Sequence, residues 1–166
     1  MEKSAQYWIQ RLGLKPHPEG GYYNETYRST ESIDKKHLPT RFGSDHSYST
    51  AIYFLLEGSQ RSKFHRLKQD ELWHFYYGSP LKVVFLDNKG YLDELVLGTD
   101  FDSGQRLQAV MPAGCWFGGY VIDQNPYSLV GCTVAPGFEF SDFELADRDE
   151  LLSRYPEHEK EIIKLT

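Results

Sequence analysis

Three side chains capable of acid–base or metal chemistry lie close together in the sequence: His65, Glu71 and His74. An imidazole changes charge near neutral pH, so His65 is the first residue that we expect to accept or donate a proton. A desolvated carboxyl has a raised pKa, so Glu71 is a candidate general acid, acceptor for a ligand hydroxyl, or partner that orients His65. The structural alternatives are a polar network joining His65 to Glu71, or an ion pair between Glu71 and Arg66 or a nearby lysine.

Residues 58–78 resemble the first motif of the cupin superfamily, which runs Gly, His-x-His, Glu, Gly. His65, Glu71 and Gly78 stand at the family's positions, and the segment 112–114 (Pro-Ala-Gly) matches the start of its second motif. The resemblance implies a mainly-β fold, a jelly-roll barrel, with a small-molecule pocket. In the family, three histidines and one glutamate hold a divalent metal ion.

Two of those histidines have no counterpart here, because Leu67 and Phe117 stand at their positions. The motif thus leaves two ligands, His65 and Glu71, whereas catalytic metal sites normally supply at least three. His74 is a possible third ligand, but period-two alternation places it on the opposite face of the strand from Glu71. The sequence therefore predicts no cofactor and no metal, with His65, Glu71 and His74 as the weaker alternative.

Longer stretches resemble one poorly characterised branch of the cupins. The shared stretches are 19–29, 49–56, 64–75 and 134–147, which read EGGYYNETYRS, STAIYFLL, FHRLKQDELWHF and VAPGFEFSDFELAD. The resemblance implies a cupin that is often dimeric and has no firmly established reaction. It also suggests an analogy to sugar-nucleotide epimerases of the dTDP-4-dehydrorhamnose type, which share the barrel and need no metal.

Aromatic side chains in the predicted strands are candidates for a surface on which a sugar or a base stacks. They are Tyr53, Trp73, Phe75, Tyr77 and Phe117. Two arginines, Arg28 and Arg41, are candidates for holding a phosphate or carboxylate through the guanidinium fork. The structural alternative is that the aromatic residues are core and the arginines are solvated.

Period-two patterns separated by turn residues predict nine strands. They cover residues 22–30, 47–56, 62–67, 71–77, 81–86, 91–97, 107–111, 115–121 and 128–134. Short helices are predicted at 3–12, where apolar residues recur at helical spacing, and after Asp147, whose spacing to Glu150 resembles a capping box. Residues 16–21 are interpreted as a turn-rich joint and 31–46 as a mobile loop. With no repeat or linker, one cupin domain over 1–166 is expected.

Composition excludes several classes of function. The net charge of −6 is spread along the chain without a basic run, which argues against nucleic-acid binding. The longest apolar runs fall far short of the ~20 residues of a membrane span, and no apolar signal core follows Met1. Two cysteines, Cys115 and Cys132, make no disulfide framework. We expect a cytoplasmic protein.

Three hypotheses follow. The leading one is a metal-independent epimerase or isomerase acting on a carbohydrate-like or nucleotide-sugar ligand, with His65 as base, a barrel tyrosine as acid and Glu71 as orienting group. The second is a non-catalytic protein that stores or senses a small molecule. The third is a weak-metal cupin dioxygenase or isomerase. Separately, we expect a homodimer, formed by pairing of sheets or by exchange of the strand near residues 22–30.

Overall fold

The computed structural model describes residues 3–122 and 127–166. All nine predicted strands are present, with ends that differ by a few residues, together with four two-residue strands that are too short to leave a periodic signal. The strands are β1 (Lys15–Pro16), β2 (Tyr22–Arg28), β3 (Ser32–Ile33), β4 (His46–Ser47), β5 (Thr50–Glu57), β6 (Ser62–Arg66), β7 (Asp70–Gly78), β8 (Leu81–Leu86), β9 (Leu92–Leu97), β10 (Gln108–Met111), β11 (Trp116–Val121), β12 (Tyr127–Ala135) and β13 (Glu144–Leu145). The helices are α1 (Ala5–Arg11), α2 (Arg148–Arg154) and α3 (Glu159–Leu165).

Antiparallel ladders join these strands into two main sheets. One sheet has the order β1-β2-β5-β12-β7-β10, and the other has the order β13-β6-β11-β8-β9. Strand β12 lies between β5 and β7, so partners distant in sequence are adjacent in space, as in a jelly roll. The inner faces meet in a core whose largest buried side chains include Phe54, Trp73, Phe117 and Met111. The predicted mainly-β jelly-roll fold is confirmed.

The helices cover parts of the outer faces. Helix α1 begins at the cap Ser4 and packs with Leu55, Tyr127 and Leu129 on the outside of the six-stranded sheet. Helices α2 and α3 cover Phe64 and Trp116 on the five-stranded sheet. As predicted, Asp147 caps α2, where its carboxylate accepts the Glu150 backbone N–H at 2.9 Å. No helix in the described ranges is long and apolar enough to cross a membrane.

The segment 31–46, predicted to be a mobile loop, is anchored at both ends. Strands β3 and β4 pair with each other, and Lys35–His37 forms a 3₁₀ turn. Phe42 and His46 are almost completely buried, at 2% and 1% exposure. The polar composition suggested a solvated loop, but two ring side chains within it anchor the segment to the protein.

Candidate functional site

A cavity of about 200 Å³ lies between the inner faces of the two sheets. Its buried floor is formed by strands β5, β6, β7 and β12, and includes Phe54, His65, Leu67, Glu71, Cys132 and Val134. Its mouth is marked by lining residues that are more exposed, including Lys15, Tyr23, Glu25, Arg28 and Phe140. His65 and Glu71, the two predicted catalytic residues, therefore line the same enclosed space.

Glu71 lies near the start of β7, where alternation turns its side chain inward, and it is only 7% exposed. Its Oε2 atom has no hydrogen-bond partner among the described residues. Burial raises the pKa of Glu71 to about 7, with the Glu19 carboxyl acting in the same direction, whereas His65, Trp73 and Cys132 act in the opposite direction. Trp73 and Cys132 act on this carboxyl through side-chain hydrogen bonds, so Oε2 is the atom suited to meet a polar group of a ligand.

His65 lies on β6 directly opposite Phe117 of β11, and the two rings are in contact, with centroids 4.2 Å apart. Its Nδ1 lies 2.7 Å from the Lys63 carbonyl oxygen, which can only accept, so Nδ1 carries a hydrogen. In the neutral ring this leaves a lone pair on Nε2. Burial lowers the pKa of His65, against the opposing effects of Glu71 and the Lys63 carbonyl, so the neutral base is favoured.

Sequence reasoning missed a third ionisable residue of the floor, Glu19. Its Oε2 lies 3.2 Å from Nε2 of His65, and its Oε1 accepts a 2.7 Å hydrogen bond from Ser62. The side chain is 5% exposed, and burial raises its pKa, although contacts with His17 and Ser62 act in the opposite direction. Glu19 is thus a direct neighbour of the predicted base.

The backbone around Glu19 explains how a loop residue reaches the barrel interior. Gly20 and Gly21 have φ values of +113° and +70°, and a Cβ atom on Gly20 would lie 2.1 Å from the Arg61 carbonyl oxygen. Only glycine, which has no Cβ atom, lets the backbone at position 20 come so close to this carbonyl oxygen. The turn holds Glu19 against β6, where its carbonyl accepts the Lys63 N–H at 2.9 Å. The available signal was Glu19 itself, an acidic residue at the head of the Glu-Gly-Gly stretch interpreted above as a joint.

His17 is the second missed residue, two positions before Glu19. Its Nδ1 lies 3.3 Å from Glu19 Oε2 and also 3.3 Å from the Glu19 backbone nitrogen, which donates to it. The ring contacts Tyr23 at 4.6 Å and lies parallel to Phe140 at 6.1 Å. Burial lowers the pKa of His17, partly opposed by Glu19. The aromatic neighbours therefore hold a neutral imidazole in a fixed orientation between the floor and the mouth.

The six predicted ligand-binding residues lie outside the lining of this cavity. Trp73, Phe75 and Phe117 are on the inner side but belong to the core beside it, where Trp73 packs on Phe54 and Phe117. Tyr53 and Tyr77 lie on the outer face and pack near Trp8 of α1. Alternation turns Tyr53 away from the interior, whereas Tyr77 faces outward because a β-bulge between Phe75 and Tyr77 reverses the alternation of β7. For these two tyrosines the structure gives no support to ligand contact.

Arg41, the sixth predicted ligand-binding residue, lies in a separate, open groove with Arg66 and Lys68. Its Nε donates to the Lys68 carbonyl oxygen at 2.8 Å, and its guanidinium stacks on Phe42. The arginine at the cavity mouth is Arg28 instead.

Residues 138–143, here called the cover segment, form one side of the mouth. Phe138, Phe140 and Phe143 contact one another and line the cavity. Arg28 ties the segment to β2, since it forms two hydrogen bonds to Glu25 and one each to Glu139 and the Phe138 carbonyl.

The far end of the cover segment is held by Asp142, whose side chain is fully buried, as is that of its partner His46. One oxygen of Asp142 lies 2.5 Å from His46 Nε2 and accepts from Gln69 at 2.9 Å, and the other pairs with Lys68 at 2.9 Å. Burial raises the pKa of Asp142, but Lys68 and His46 outweigh this effect and lower it overall. The cover segment thus has one exposed attachment at Arg28 and one buried attachment at Asp142.

The donor set does not fit the metal ion that the cupin resemblance implies. Leu67 and Phe117 provide no ligand atoms, and His74 faces outward, where it contacts Thr133 at 3.1 Å and Gln108 at 2.9 Å. Within residues 3–122 and 127–166, no group of three or more His, Cys, Asp or Glu side chains is arranged to hold a metal ion. The alternative set His65, Glu71 and His74 is therefore not brought together.

Comparison with known proteins agrees with the fold and motifs. A family model described as "Cupin superfamily (DUF985)" matches residues 6–146. An uncharacterised protein of Saccharomyces cerevisiae, YML079W, is 30% identical over 159 residues, which cover 89% of this chain and 78% of that protein. Among solved structures, protein SO0799 from Shewanella oneidensis is 38% identical with a TM-score of 0.90, covering 99% of this chain and 98% of that one. A hypothetical protein from Leishmania major is 35% identical with the same TM-score, covering 99% of both chains.

More distant structural similarity extends to oxalate decarboxylase of Bacillus subtilis, at 14% identity and a TM-score of 0.55 over 91% of this chain and 36% of that one. At this identity the similarity concerns the fold alone. The family match over residues 6–146, the jelly-roll topology and the motif around His65 agree with one another, and the chain belongs to the DUF985 family of the cupin superfamily.

Proposed function

We propose that this protein is an epimerase or isomerase that moves a proton on a small carbohydrate-like ligand without using a metal ion. The observation that carries the proposal is the buried Glu71 carboxyl, whose Oε2 has no protein partner in the described chain and which faces the same cavity as His65. Burial raises the pKa of Glu71 to about 7 and lowers the pKa of His65. Both shifts favour the uncharged form, so Glu71 is a candidate acid and His65 a candidate base in the same cavity. Such pairs are typical of general acid–base catalysis.

The size and charge of the cavity favour a small, uncharged ligand. At about 200 Å³ it is smaller than the roughly 300–1,000 Å³ of pockets that hold drug-sized molecules, so a whole nucleotide sugar exceeds it. Carboxyl groups at the floor and at the mouth disfavour a phosphate inside, and Arg28 is already engaged by Glu25 and Glu139. Aromatic rings of the cover segment suit the apolar face of a sugar ring.

We assign the proton-transfer roles as follows. His65 Nε2 removes the hydrogen next to the ligand carbonyl as a proton, and the electron pair moves to the carbonyl oxygen to form an enolate. Glu71 is the acid that donates a hydrogen bond from its protonated carboxyl to the carbonyl oxygen of the ligand, and so stabilises the enolate. Tyr23, a tyrosine that does line the cavity, returns a proton to the carbon. It lies on β2, and its ring contacts the ring of His17, with centroids 4.6 Å apart.

The test is exchange of carbon-bound hydrogen in D₂O, followed by proton NMR with a panel of free aldoses and ketoses. We expect deuterium to enter next to the carbonyl of a sugar that also binds the protein. His65→Gln should slow this exchange by about 10²- to 10⁴-fold, because it removes the base. His74→Gln is the matched control: it removes a histidine from the outer face of the sheet and should leave exchange unchanged.

Exchange that persists in His65→Gln at the wild-type rate would remove His65 from the mechanism. Saturable sugar binding with no exchange would identify a non-catalytic binding protein instead. If His74→Gln abolished exchange together with His65→Gln, the role of His74 would have to be revised.

We also propose that the protein is a homodimer formed through the outer face of the six-stranded sheet. Five large side chains on that sheet are between 38% and 54% exposed: Tyr27, Leu72, Tyr76, Tyr77 and Val110. Exposed apolar groups of this kind are common at protein interfaces.

A further inference from the structure

We infer that Glu19 is a proton-carrying link between His65 and His17, so that these three side chains form a relay from the cavity floor to its mouth. The inference rests on the proposed role of His65 as the base. Glu19 is a positioning residue here, because it acts through His65 and not on the ligand.

The geometry of Glu19 Oε2 is the first support. This single atom lies 3.2 Å from His65 Nε2 and 3.3 Å from His17 Nδ1, so both imidazoles are at nearly equal distances from one oxygen. The second oxygen, Oε1, is held by Ser62 and cannot rotate into this role without breaking that bond. The carboxyl is therefore fixed with one oxygen between two ring nitrogens.

The hydrogen-bonding partners of the imidazoles give the second support. Nδ1 of His65 donates to the Lys63 carbonyl, and Nδ1 of His17 accepts the Glu19 backbone N–H. The lone pair of His65 Nε2 is therefore open to Glu19 when the ring is neutral, whereas the Glu19 backbone N–H and the Glu19 carboxyl, both at 3.3 Å, compete for the lone pair of His17 Nδ1. A protonated Glu19 can donate to His65, or to His17 in place of the backbone N–H, and burial, which raises the pKa of Glu19, favours that protonated form.

The surroundings of His17 give the third support. Nε2 of His17, on the side of the ring away from Nδ1, has no hydrogen-bond partner in the described part of the chain, whereas the ring is held by Tyr23 and by the half-exposed Phe140. The relay therefore ends near the mouth, on a side chain that is 7% exposed.

The transfers balance as follows. In the outward direction, Glu19 is protonated, His17 carries its hydrogen on Nε2, and His65 holds on Nε2 the proton taken from the ligand. The O–H bond of Glu19 breaks as an Nδ1–H bond forms on His17, and His17 loses its Nε2 hydrogen to a buffer base, which leaves as its conjugate acid. The Nε2–H bond of His65 then breaks as the Oε2–H bond of Glu19 forms again. The reverse sequence brings a proton from solvent to His65.

The test measures how fast His65 Nε2 gains and loses its proton, by ¹⁵N NMR of histidine-labelled protein through the pH titration, with no ligand present. Glu19→Gln preserves the side-chain shape and the acceptor for Ser62 but cannot pass on a proton. We expect it to slow proton exchange at His65 by about tenfold or more, because exchange then requires local opening of the cover segment. His17→Gln should slow it similarly, since it removes the outer end of the relay.

Glu94→Gln is the matched control, since it removes an exposed carboxylate on β9, outside the cavity lining and the cover segment, and it should leave the exchange rate unchanged. Wild-type exchange rates in both Glu19→Gln and His17→Gln would overturn the relay. This result is independent of turnover: the relay can fail while His65 still acts as a base, and the proposed reaction can fail while the relay is observed.

Discussion

At the scale of single residues, the site is a group of ionisable side chains whose uncharged forms are favoured by burial. His65 and Glu71 could be predicted because they lie at fixed spacings in one segment. His17 and Glu19 could not, because they lie in a turn about fifty residues earlier. Their approach to His65 depends on the positive φ values of Gly20 and Gly21 and on the hydrogen bond to β6, which no periodicity reveals.

The raised pKa of Glu71 has a consequence for stability. Between its ordinary value of 4.5 and its folded value of about 7, the folded protein holds a proton that the unfolded chain has released. The free energy of unfolding therefore falls as pH rises through this window and levels off above it. A shift of this size corresponds to about 3 kcal/mol.

We accordingly expect Glu71→Gln to gain stability relative to the wild type as pH rises, by about 3 kcal/mol between pH 4.5 and pH 8. Urea unfolding at both pH values measures the difference. Glu94→Gln, at an exposed position on β9, controls for the loss of one negative charge. A stability difference that does not change with pH would contradict the assigned pKa of Glu71.

At the scale of elements, strands with clear alternation were predicted well, and segments that depend on distant partners were not. The hairpin between β8 and β9 follows from its turn, where Gly90 has a φ of +86° and its N–H binds the Asp87 carbonyl. The cover segment gave no periodic signal. Its position depends on Arg28 at one end and Asp142 at the other, and both contacts join residues far apart in sequence.

The attachments of the cover segment at Arg28 and at Asp142 should contribute differently to the free energy of unfolding. Asp142→Asn leaves the buried His46 and the ammonium of Lys68 without their carboxylate, so we expect a loss of about 3–5 kcal/mol. Arg28→Gln breaks ion pairs with Glu25 and Glu139 that are more than a third exposed, so we expect a loss below about 1 kcal/mol. Urea unfolding of both variants at pH 7 measures the two costs.

Equal losses in the two variants would contradict this assignment of a buried and an exposed attachment. Glu144→Gln serves as a further control, because it breaks an exposed ion pair with Arg66 just beyond the cover segment. Its cost should match that of Arg28→Gln.

At the scale of the whole molecule, the helices divide the outer surfaces of the barrel unequally. Helices α2 and α3 cover the five-stranded sheet, with Ile162 and Leu165 fully buried against it. Helix α1 covers only the part of the six-stranded sheet around Leu55 and Leu129. The remainder of that outer face carries apolar side chains on β7 and β10, which a second copy of the same sheet would bury in a symmetric interface.

The dimer is testable through this exposed region. Leu72 and Val110 form a cross-strand pair on β7 and β10, so Leu72→Glu with Val110→Glu places two charges at the centre of the proposed interface. We expect light scattering at micromolar concentration to show a dimer for the wild type and a monomer for this variant, because burying unpaired charge is costly. Charge reversal at Lys35 and Lys36, on the loop between β3 and β4, is the control and should leave the dimer intact. A monomeric wild type would contradict the dimer. A double variant that still forms a dimer would show that the outer face of this sheet is not the interface and that the chain associates through another surface.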